Sequence, residues 1–315
     1  MQSSFYTGLK QIPGRICRIV SLVALVFSLL FFIGCGGKPK QENAAAPAKP
    51  ASPPPQEPGC HGPDSSFTFV LNKVEVEIKS PAKPLGRVML ILPGWNFPRT
   101  DWCEKSRLCD SALAAGYHLV LPEMGKSIYA SEVYPETRKD WLKYKTGTWL
   151  RDTLIPILQK EYCLLIPGGK NHVAGLSTGG RGAVLTALYL PGLFLTCSTL
   201  SGDYDQRLMQ DDNLMSGWYG PFDKFPDRWG GSDNIAVNAN KLKTPVFIGH
   251  GRKDKVIGEE QGVVFNQILL EDNPNLFREF HLDEAQGHDY KFWDSKVQAV
   301  LNFCAMAEAR AKQKI

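Results

Sequence analysis

The sequence lacks a strong net charge, an internal repeat and any His, Cys and Asp arrangement with the spacing of a metal site. Its 36 Lys and Arg against 32 Asp and Glu leave a formal charge of +4 over 315 residues, too little for the basic face of a nucleic-acid-binding protein. A composition of 43% hydrophobic and 22% charged residues excludes collagen-like, wholly disordered and disulfide-dense classes. We therefore expect a globular protein with no metal, no cofactor and no nucleic-acid partner.

The first 34 residues contain no acidic residue. Lys10, Arg15 and Arg18 precede an apolar run of 16 residues at 19–34, shorter than the roughly 18 to 20 that a membrane-spanning helix needs. A basic segment, a short apolar run and a small residue at its end are typical of a bacterial secretory signal. Residues 1–34 are therefore predicted to be a signal peptide, with a single-span N-terminal anchor as the alternative.

The apolar run ends in Phe32-Ile33-Gly34-Cys35, which resembles the lipobox of bacterial lipoproteins, although that motif usually has Leu in the place of Phe32. The resemblance implies cleavage before Cys35 and acylation of its thiol and its new amino group, so that several acyl chains hold the protein to a membrane. Gly36, rather than Asp, follows the cysteine, which in enterobacteria-like sorting favours the outer membrane. We expect a lipid-anchored protein of the bacterial cell envelope, on its periplasmic or surface face.

Residues 36–58 contain no aromatic and no β-branched residue. Such a segment cannot bury apolar surface and is expected to stay disordered or semi-extended. Its 23 residues span up to roughly 70 Å at about 3.1 Å each. We therefore predict an acylated cysteine and a Pro/Ala-rich tether at 35–58, and one folded domain at 59–315.

The folded domain alternates short β-branched runs with helical patterns, which predicts an α/β fold with a mostly parallel sheet and helices on both faces. Val74, Val76 and Ile78 alternate with charged residues and indicate an antiparallel edge strand. Continuous apolar runs, typical of buried strands, lie at 88–92, 118–121, 172–174, 195–200, 245–248 and 280–282. Helical patterns lie at 101–115, 148–161, 180–190, 258–270 and 290–312.

One motif carries reaction chemistry. Gly175-Leu176-Ser177-Thr178-Gly179 reads G-x-S-x-G and lies between a predicted strand and an Ala-rich helix. In that context the serine occupies a sharp, strained turn, and glycines are needed on either side because a side chain would collide with neighbouring backbone. We predict that Ser177 is a nucleophile; a glycine-rich turn with a solvated serine is the alternative.

A serine nucleophile needs a histidine base that an acid orients, and in this fold the chain order is Ser, acid, His. His288 lies in a loop after the last predicted strand and before the terminal helix, where it can reach Ser177. Asp254 directly follows the penultimate predicted strand and is the predicted acid; Asp203, after the strand at 195–200, is the competitor. The remaining histidines are expected to be structural: His61, His118, His172, His250 and His281.

Two backbone N–H groups should stabilise the oxyanion of the transition state. The first belongs to Thr178, directly after the nucleophile and just before the predicted helix. The second is expected in the loop Pro93-Gly94-Trp95-Asn96, from either Trp95 or Asn96.

These residues together resemble the esterase D branch of the α/β-hydrolases, which includes S-formylglutathione hydrolases, feruloyl-type esterases and mycolyltransferases. The shared text is G-L-S-x-G-G-x-G-A, then His250-Gly251-x-x-Asp254 and Gly287-His288-Asp289, within a resemblance that covers roughly residues 85–305. It implies an α/β-hydrolase fold and a triad of Ser177, Asp254 and His288. The sequence departs from the family at Thr178, where Met is usual, and in the text of the oxyanion loop.

Two long segments, 125–146 and 203–234, are rich in Trp, Tyr and Gly and are expected to shape a pocket. Their aromatic residues either line an acyl or aryl site or form the core of a small cap: Trp141, Tyr144, Trp218, Tyr219 and Trp229.

The export signal permits disulfides. Cys103 and Cys109 are six residues apart on one predicted helix, about 9 Å of rise, and are not expected to pair with each other. Cys197, in a buried strand, is expected to be a free thiol. One disulfide bond is expected between two of the remaining cysteines, and the sequence does not determine which two: Cys60, Cys103, Cys109, Cys163 and Cys304.

The interpretation of the whole sequence is a membrane-tethered serine hydrolase that cleaves a small-molecule or glycan-linked carboxylic ester. An acyltransferase with the same triad and a non-catalytic binding lipoprotein are the alternatives. The oligomeric state is not predicted.

Overall fold

The computed structural model describes residues 61–141 and 145–313, all of which belong to one compact unit. The predicted signal peptide, Cys35 and the tether lie outside the described residues, as does Tyr144. Within the described part, no helix combines the length and the hydropathy that crossing a bilayer requires.

A single mixed sheet forms the centre of the described fold. In chain order its strands are β1 (Phe67–Leu71), β2 (Val74–Lys79), β3 (Arg87–Leu92), β4 (Tyr117–Pro122), β5 (Lys170–Leu176), β6 (Thr196–Leu200), β7 (Val246–Gly251) and β8 (Arg278–Asp283). Their spatial order is β1-β2-β4-β3-β5-β6-β7-β8. The pairs β1–β2 and β2–β4 are antiparallel and the others are parallel, so the predicted sheet is confirmed.

β2 is the strand that the alternation of Val74, Val76 and Ile78 predicts, and it is antiparallel as expected. The prediction that it lies at the sheet edge is wrong, because β1 pairs with its outer side and places Phe67 opposite Ile78. β1 has only five residues, and Val70 within it is 65% exposed. No buried apolar run therefore marks β1 in the sequence.

The helices are α1 (Asp101–Lys105), α2 (Leu108–Ala114), α3 (Thr146–Trp149), α4 (Ile155–Tyr162), α5 (Thr178–Tyr189), α6 (Asn213–Tyr219), α7 (Pro226–Trp229), α8 (Glu260–Asp272) and α9 (Tyr290–Lys312). A π-helical segment, Leu150–Leu154, joins α3 to α4, and 3₁₀ turns lie at Gln206–Leu208 and Ala239–Lys241. The helix predicted at 101–115 is therefore two helices.

The break between α1 and α2 corrects the expectation for Cys103 and Cys109. Ser106 is extended, with φ −146° and ψ 164°, so the two cysteines do not share one continuous helix. Their Cα atoms lie 5.0 Å apart and their sulfurs form a disulfide. Cys163 is also disulfide-bonded, while Cys197, as expected, and Cys304 are buried free thiols.

Helices cover both faces of the sheet. Residues of α4, α5 and α8 pack in one apolar core, for example Leu158, Val184 and Phe265. Residues of α1, α2 and α9 pack in a second core on the other face, for example Trp102 and Phe303. Because β3 to β8 run parallel, the loops that follow β3, β5, β7 and β8 emerge at one edge, which we call the carboxyl edge of the sheet.

Candidate active site

Ser177 occupies the sharp turn between β5 and α5 at the carboxyl edge. Its backbone has φ 53° and ψ −129°, a conformation that a non-glycine residue adopts only under strain. A Cβ on Gly175 would collide with the Gly179 carbonyl oxygen, and a Cβ on Gly179 would collide with the carbonyl oxygens of Leu92 and Pro93. The two glycines therefore let the turn close tightly against β3, with Ser177 only 7% exposed.

The loop between β8 and α9 brings His288 to Ser177. The Nε2 atom of His288 lies 3.0 Å from the Ser177 Oγ, and its Nδ1 atom lies 2.7 Å from Oδ2 of Asp254. The carboxylate accepts a hydrogen bond from Nδ1–H, which leaves Nε2 as the acceptor for the serine hydroxyl. The side chain of Trp293 packs perpendicular to the imidazole at 5.2 Å between ring centres and limits its orientation.

Asp254 follows β7 and is held as an anion. Its Oδ1 accepts the backbone N–H groups of Val256 and Ile257 at 2.9 and 2.8 Å. Burial raises the pKa of Asp254, but the hydrogen bond and charge of His288 and these two N–H groups outweigh burial, so its pKa lies below its usual value. The carboxylate therefore stays charged while it orients the imidazole.

The competitor Asp203 lies in a different environment. Its side chain is fully buried, and Oδ2 accepts a hydrogen bond from Nη1 of Arg181 at 2.9 Å. Burial raises the pKa of Asp203 despite that partner. Its contact with Arg181 indicates a structural carboxylate.

Four of the five histidines predicted to be structural make side-chain contacts with residues outside the triad. His250 bonds the Ile257 carbonyl oxygen at 3.0 Å, and His118 bonds the Pro63 carbonyl oxygen at 3.0 Å. His172 contacts the Thr196 hydroxyl at 2.8 Å. His281, within β8, lies 3.2 Å from Glu279.

Of the three candidate oxyanion donors, two have a backbone N–H without an acceptor among the described residues. Thr178 is the first residue of α5, so its N–H has no acceptor within the helix. The N–H of Asn96 donates to the Gly125 carbonyl oxygen at 2.8 Å, which corrects the inclusion of Asn96 among the candidates. Among the described residues the N–H of Trp95 donates to no acceptor, and a Cβ on the adjacent Gly94 would lie 3.3 Å from the Ser177 Cβ.

The aromatic residues of the two long segments form a cluster of their own. Trp218 and Trp229 are fully buried and Tyr219 is 1% exposed, so they are core residues of this cluster. Trp141 is 9% exposed and meets Trp95 at 4.7 Å between ring centres. The cluster thus contacts the oxyanion loop through Trp141.

Sequence reasoning missed the importance of Arg181. This guanidinium is completely buried and donates to the Ile128 carbonyl oxygen, the Asp203 carboxylate, the Tyr219 hydroxyl and the Asp233 carbonyl oxygen. It ties the helix after the nucleophile to both long segments. The sequence signal that could have revealed this role is a charged residue directly after Gly179 and Gly180 in an otherwise mostly apolar helix.

No group of three or more His, Cys, Asp or Glu side chains capable of holding a metal occurs in the described ranges. The arrangement of Ser177, His288 and Asp254 is suited to acyl transfer, in which a serine attacks a carbonyl carbon and a histidine moves the proton.

Comparisons with known proteins agree with this chemistry. A family model described as putative esterase matches residues 111–301, more than half of the chain. A comparison with curated protein sequences found no significant match.

Solved structures share the fold at low sequence identity. An S-formylglutathione hydrolase from Agrobacterium tumefaciens is 15% identical and superposes with a TM-score of 0.61 over 77% of this chain and 94% of that chain. The fluorophosphonate-binding serine hydrolase F of Staphylococcus aureus is 17% identical, with a TM-score of 0.58 over 76% and 97%. A ferulic acid esterase is 17% identical, with a TM-score of 0.56 over 77% and 97%.

Proposed function

The chain belongs to the putative esterase family, and from that membership we propose that Ser177, His288 and Asp254 form the triad with which it hydrolyses carboxylic esters through an acyl-serine intermediate. The observation that carries the proposal is the pair of hydrogen-bond distances at His288, 3.0 Å to Ser177 and 2.7 Å to Asp254. Such contacts fall within the reach that proton transfer requires.

In the first half-reaction the Ser177 Oγ attacks the ester carbonyl carbon and its proton passes to Nε2 of His288. The carbonyl oxygen becomes an oxyanion, which accepts hydrogen bonds from the backbone N–H groups of Thr178 and Trp95. The tetrahedral intermediate collapses, the bond to the alcohol oxygen breaks, and the alcohol leaves with the proton from His288. The acyl group stays on Ser177.

In the second half-reaction water replaces the alcohol. His288 takes a proton from the water, whose oxygen attacks the acyl carbon and forms a second oxyanion at the same two donors. Collapse breaks the bond to the Ser177 Oγ, which recovers its proton from His288, and the carboxylic acid leaves. Asp254 stabilises the charged imidazole in both halves.

The substrate we propose is a small-molecule or glycan-linked ester. We also propose that Cys35 is acylated after removal of residues 1–34, and that the enzyme is held to the bacterial cell envelope, at the outer membrane, through residues 35–58. The basic segment, apolar run and terminal cysteine in the sequence support this anchor.

The nucleophile is tested with a fluorophosphonate probe, which phosphonylates an activated serine. Wild-type protein should incorporate the probe and hydrolyse p-nitrophenyl esters, and Ser177→Ala should abolish both. Ser198→Ala is the matched control, because the Ser198 hydroxyl is buried and has no hydrogen-bond partner among the described residues. Absence of labelling in the wild-type protein would remove the proposal.

A panel of p-nitrophenyl esters of increasing acyl length, extended with feruloyl and acetyl-sugar esters, then ranks substrate classes by kcat/KM. A flat profile across acyl length would indicate that no defined acyl pocket selects the substrate.

A further inference from the structure

A short segment lies against the oxyanion loop without supplying any triad residue. We call residues 125–131 the strap and residues 93–97 the oxyanion loop. Within the strap, Tyr129 is 1% exposed and has a positive φ of 58°. A tyrosine held there in a left-handed conformation is strained, and strain of this kind persists only where surrounding contacts hold it.

The strap bonds the oxyanion loop on both sides of Trp95. Before Trp95, the Tyr129 hydroxyl donates to the Pro93 carbonyl oxygen at 2.7 Å. After Trp95, the Asn96 N–H donates to the Gly125 carbonyl oxygen at 2.8 Å. These two bonds hold the peptide units on either side of the one that carries the Trp95 N–H, and the carbonyl oxygen of that unit, Gly94, accepts the Phe97 N–H at 3.1 Å.

The strap is itself anchored to the helix that follows the nucleophile. Nε of Arg181 donates to the Ile128 carbonyl oxygen at 3.0 Å. The Tyr129 ring lies so close to α5 that a Cβ on Gly182 would be 2.5 Å from it. The ring and the guanidinium therefore set the distance between strap and α5, whose first N–H is that of Thr178.

We propose that Tyr129 is a positioning residue for the oxyanion hole. Through the Pro93 carbonyl its hydroxyl holds the Trp95 N–H at a fixed separation from the Thr178 N–H. Two donors stabilise an oxyanion fully only when both point at the position the oxyanion takes in the transition state. The inference rests on the proposed function, since it concerns the same reaction.

Tyr129→Phe tests the role because it removes one oxygen and keeps the packed ring. With p-nitrophenyl acetate we expect kcat to fall about tenfold, a fraction of the loss expected when a whole oxyanion donor is removed. KM should stay unchanged, because the bound ester has no oxyanion, which forms only in the tetrahedral intermediates and the transition states beside them. The affinity for an alkyl boronic acid, which forms a tetrahedral adduct with the serine, should weaken by the same factor.

Tyr204→Phe is the matched control. Tyr204 is fully buried and its hydroxyl lies 2.9 Å from the Thr199 hydroxyl, so the variant loses one buried tyrosine hydroxyl away from the oxyanion loop. It should lower the melting temperature by an amount similar to Tyr129→Phe and leave both kcat and boronic acid affinity at wild-type values. Rates are divided by the fraction of protein that a fluorophosphonate labels, so partial misfolding does not enter them.

The outcomes separate this inference from the proposed function. An active wild-type enzyme whose Tyr129→Phe variant retains wild-type kcat and boronic acid affinity overturns the positioning role alone. A raised KM with unchanged kcat also overturns it, because the hydroxyl then acts on substrate binding. A wild-type protein that neither labels nor turns over overturns the proposed function and this inference with it.

Discussion

Two buried aspartates follow parallel strands in the same domain, and they contact different partners. Asp254 faces an imidazole and two backbone N–H groups. Asp203 faces the guanidinium of Arg181. Asp254 accepts a hydrogen bond from Nδ1 of His288 and so selects the histidine tautomer, whereas the hydrogen bond that Asp203 accepts comes from a guanidinium.

We expect Asp254→Asn to lower kcat by about a thousandfold or more, because the amide favours the wrong histidine tautomer. The rate of p-nitrophenyl acetate hydrolysis measures the change in kcat, and fluorophosphonate labelling reports whether Ser177 remains accessible. Asp203→Asn is the comparison: it should lower the melting temperature, and its loss of kcat should be much smaller than that of Asp254→Asn. Near-normal turnover in Asp254→Asn together with an inactive Asp203→Asn would transfer the acid role to Asp203.

The element that contributes most to this site beyond the nucleophile helix is α9. At its beginning, Oδ1 of Asp289 accepts the Phe292 N–H at 3.0 Å and so caps the helix directly after His288. Near its end, Glu308 reaches the start of the sheet. There its carboxylate accepts a hydrogen bond from Arg87 at 3.0 Å and lies 3.4 Å from His172. One helix thus joins the histidine loop at the carboxyl edge to a buried ion cluster at the opposite edge.

The cluster around Glu308 predicts a pH dependence of stability. Burial raises the pKa of Glu308, but the close contact with His172 and the hydrogen bonds and charge of Arg87 outweigh burial and lower it to about 2. A carboxyl whose folded pKa is lowered stabilises the protein above its unfolded pKa, near 4.5, and loses that contribution as pH falls towards 2. For His172, burial lowers the pKa, but contacts with Cys304 and Glu308 raise it to about 9. Its contribution is therefore complete below its unfolded value of 6.5 and is lost as pH rises through 9.

We expect Glu308→Gln to reduce the free energy of unfolding at pH 6 by about 3 kcal/mol, because it leaves the buried His172 and the partly buried Arg87 without their carboxylate. Urea denaturation between pH 2 and pH 6 should show the difference from wild type shrinking as the solution becomes more acidic. Glu161→Gln is the control, since Glu161 is exposed and pairs with a lysine that is 83% exposed; its effect should stay within about 0.5 kcal/mol. A difference for Glu308→Gln that does not vary with pH would contradict the assignment.

On the scale of the whole molecule, the described chain begins at the edge of the sheet opposite Ser177. The Pro63 carbonyl oxygen accepts hydrogen bonds from the Ser80 hydroxyl at 2.7 Å and from His118 at 3.0 Å, and His118 is the second residue of β4. A Cβ on Gly62 would touch Leu164, which precedes β5. Since the triad follows the carboxyl ends of β5, β7 and β8, the first described residues lie at the edge of the sheet opposite the triad.

The proposed anchor can be tested in this geometry. Full-length acylated protein on lipid vesicles should hydrolyse water-soluble p-nitrophenyl esters at the rate of the same protein in detergent solution, because the first described residues lie at the edge of the sheet opposite the triad. In cells, the wild-type protein should incorporate a labelled fatty acid and Cys35→Ser should not, because the variant lacks the cysteine that would be acylated. A wild-type protein that stays in the membrane fraction without incorporating the fatty acid would instead favour a spanning N-terminal anchor. Strong inhibition on vesicles would contradict the first expectation.

Local sequence patterns predicted the parts of the molecule that local chemistry governs. The glycines around Ser177 predicted its strained turn because only residues without a side chain fit there. His288 and Asp254 were found from their places after strands, since parallel strands end at one edge. The edge position assigned to β2 and the continuous helix assigned to 101–115 were wrong, because a five-residue strand and a two-residue helix break leave little periodicity.

The sequence by itself thus determined the α/β fold and the three residues that the structure brings to one edge, because strand order, glycine turns and helix starts are encoded within short windows. Tertiary structure alone decided that the Asn96 N–H bonds Gly125, that Cys103 pairs with Cys109, that Tyr129 bonds the oxyanion loop at Pro93, and that Arg181 bonds the strap at Ile128. These contacts depend on how the segments lie in space, which no short stretch of the sequence shows. Their energies also depend on burial, which exists only once both faces of the sheet are covered.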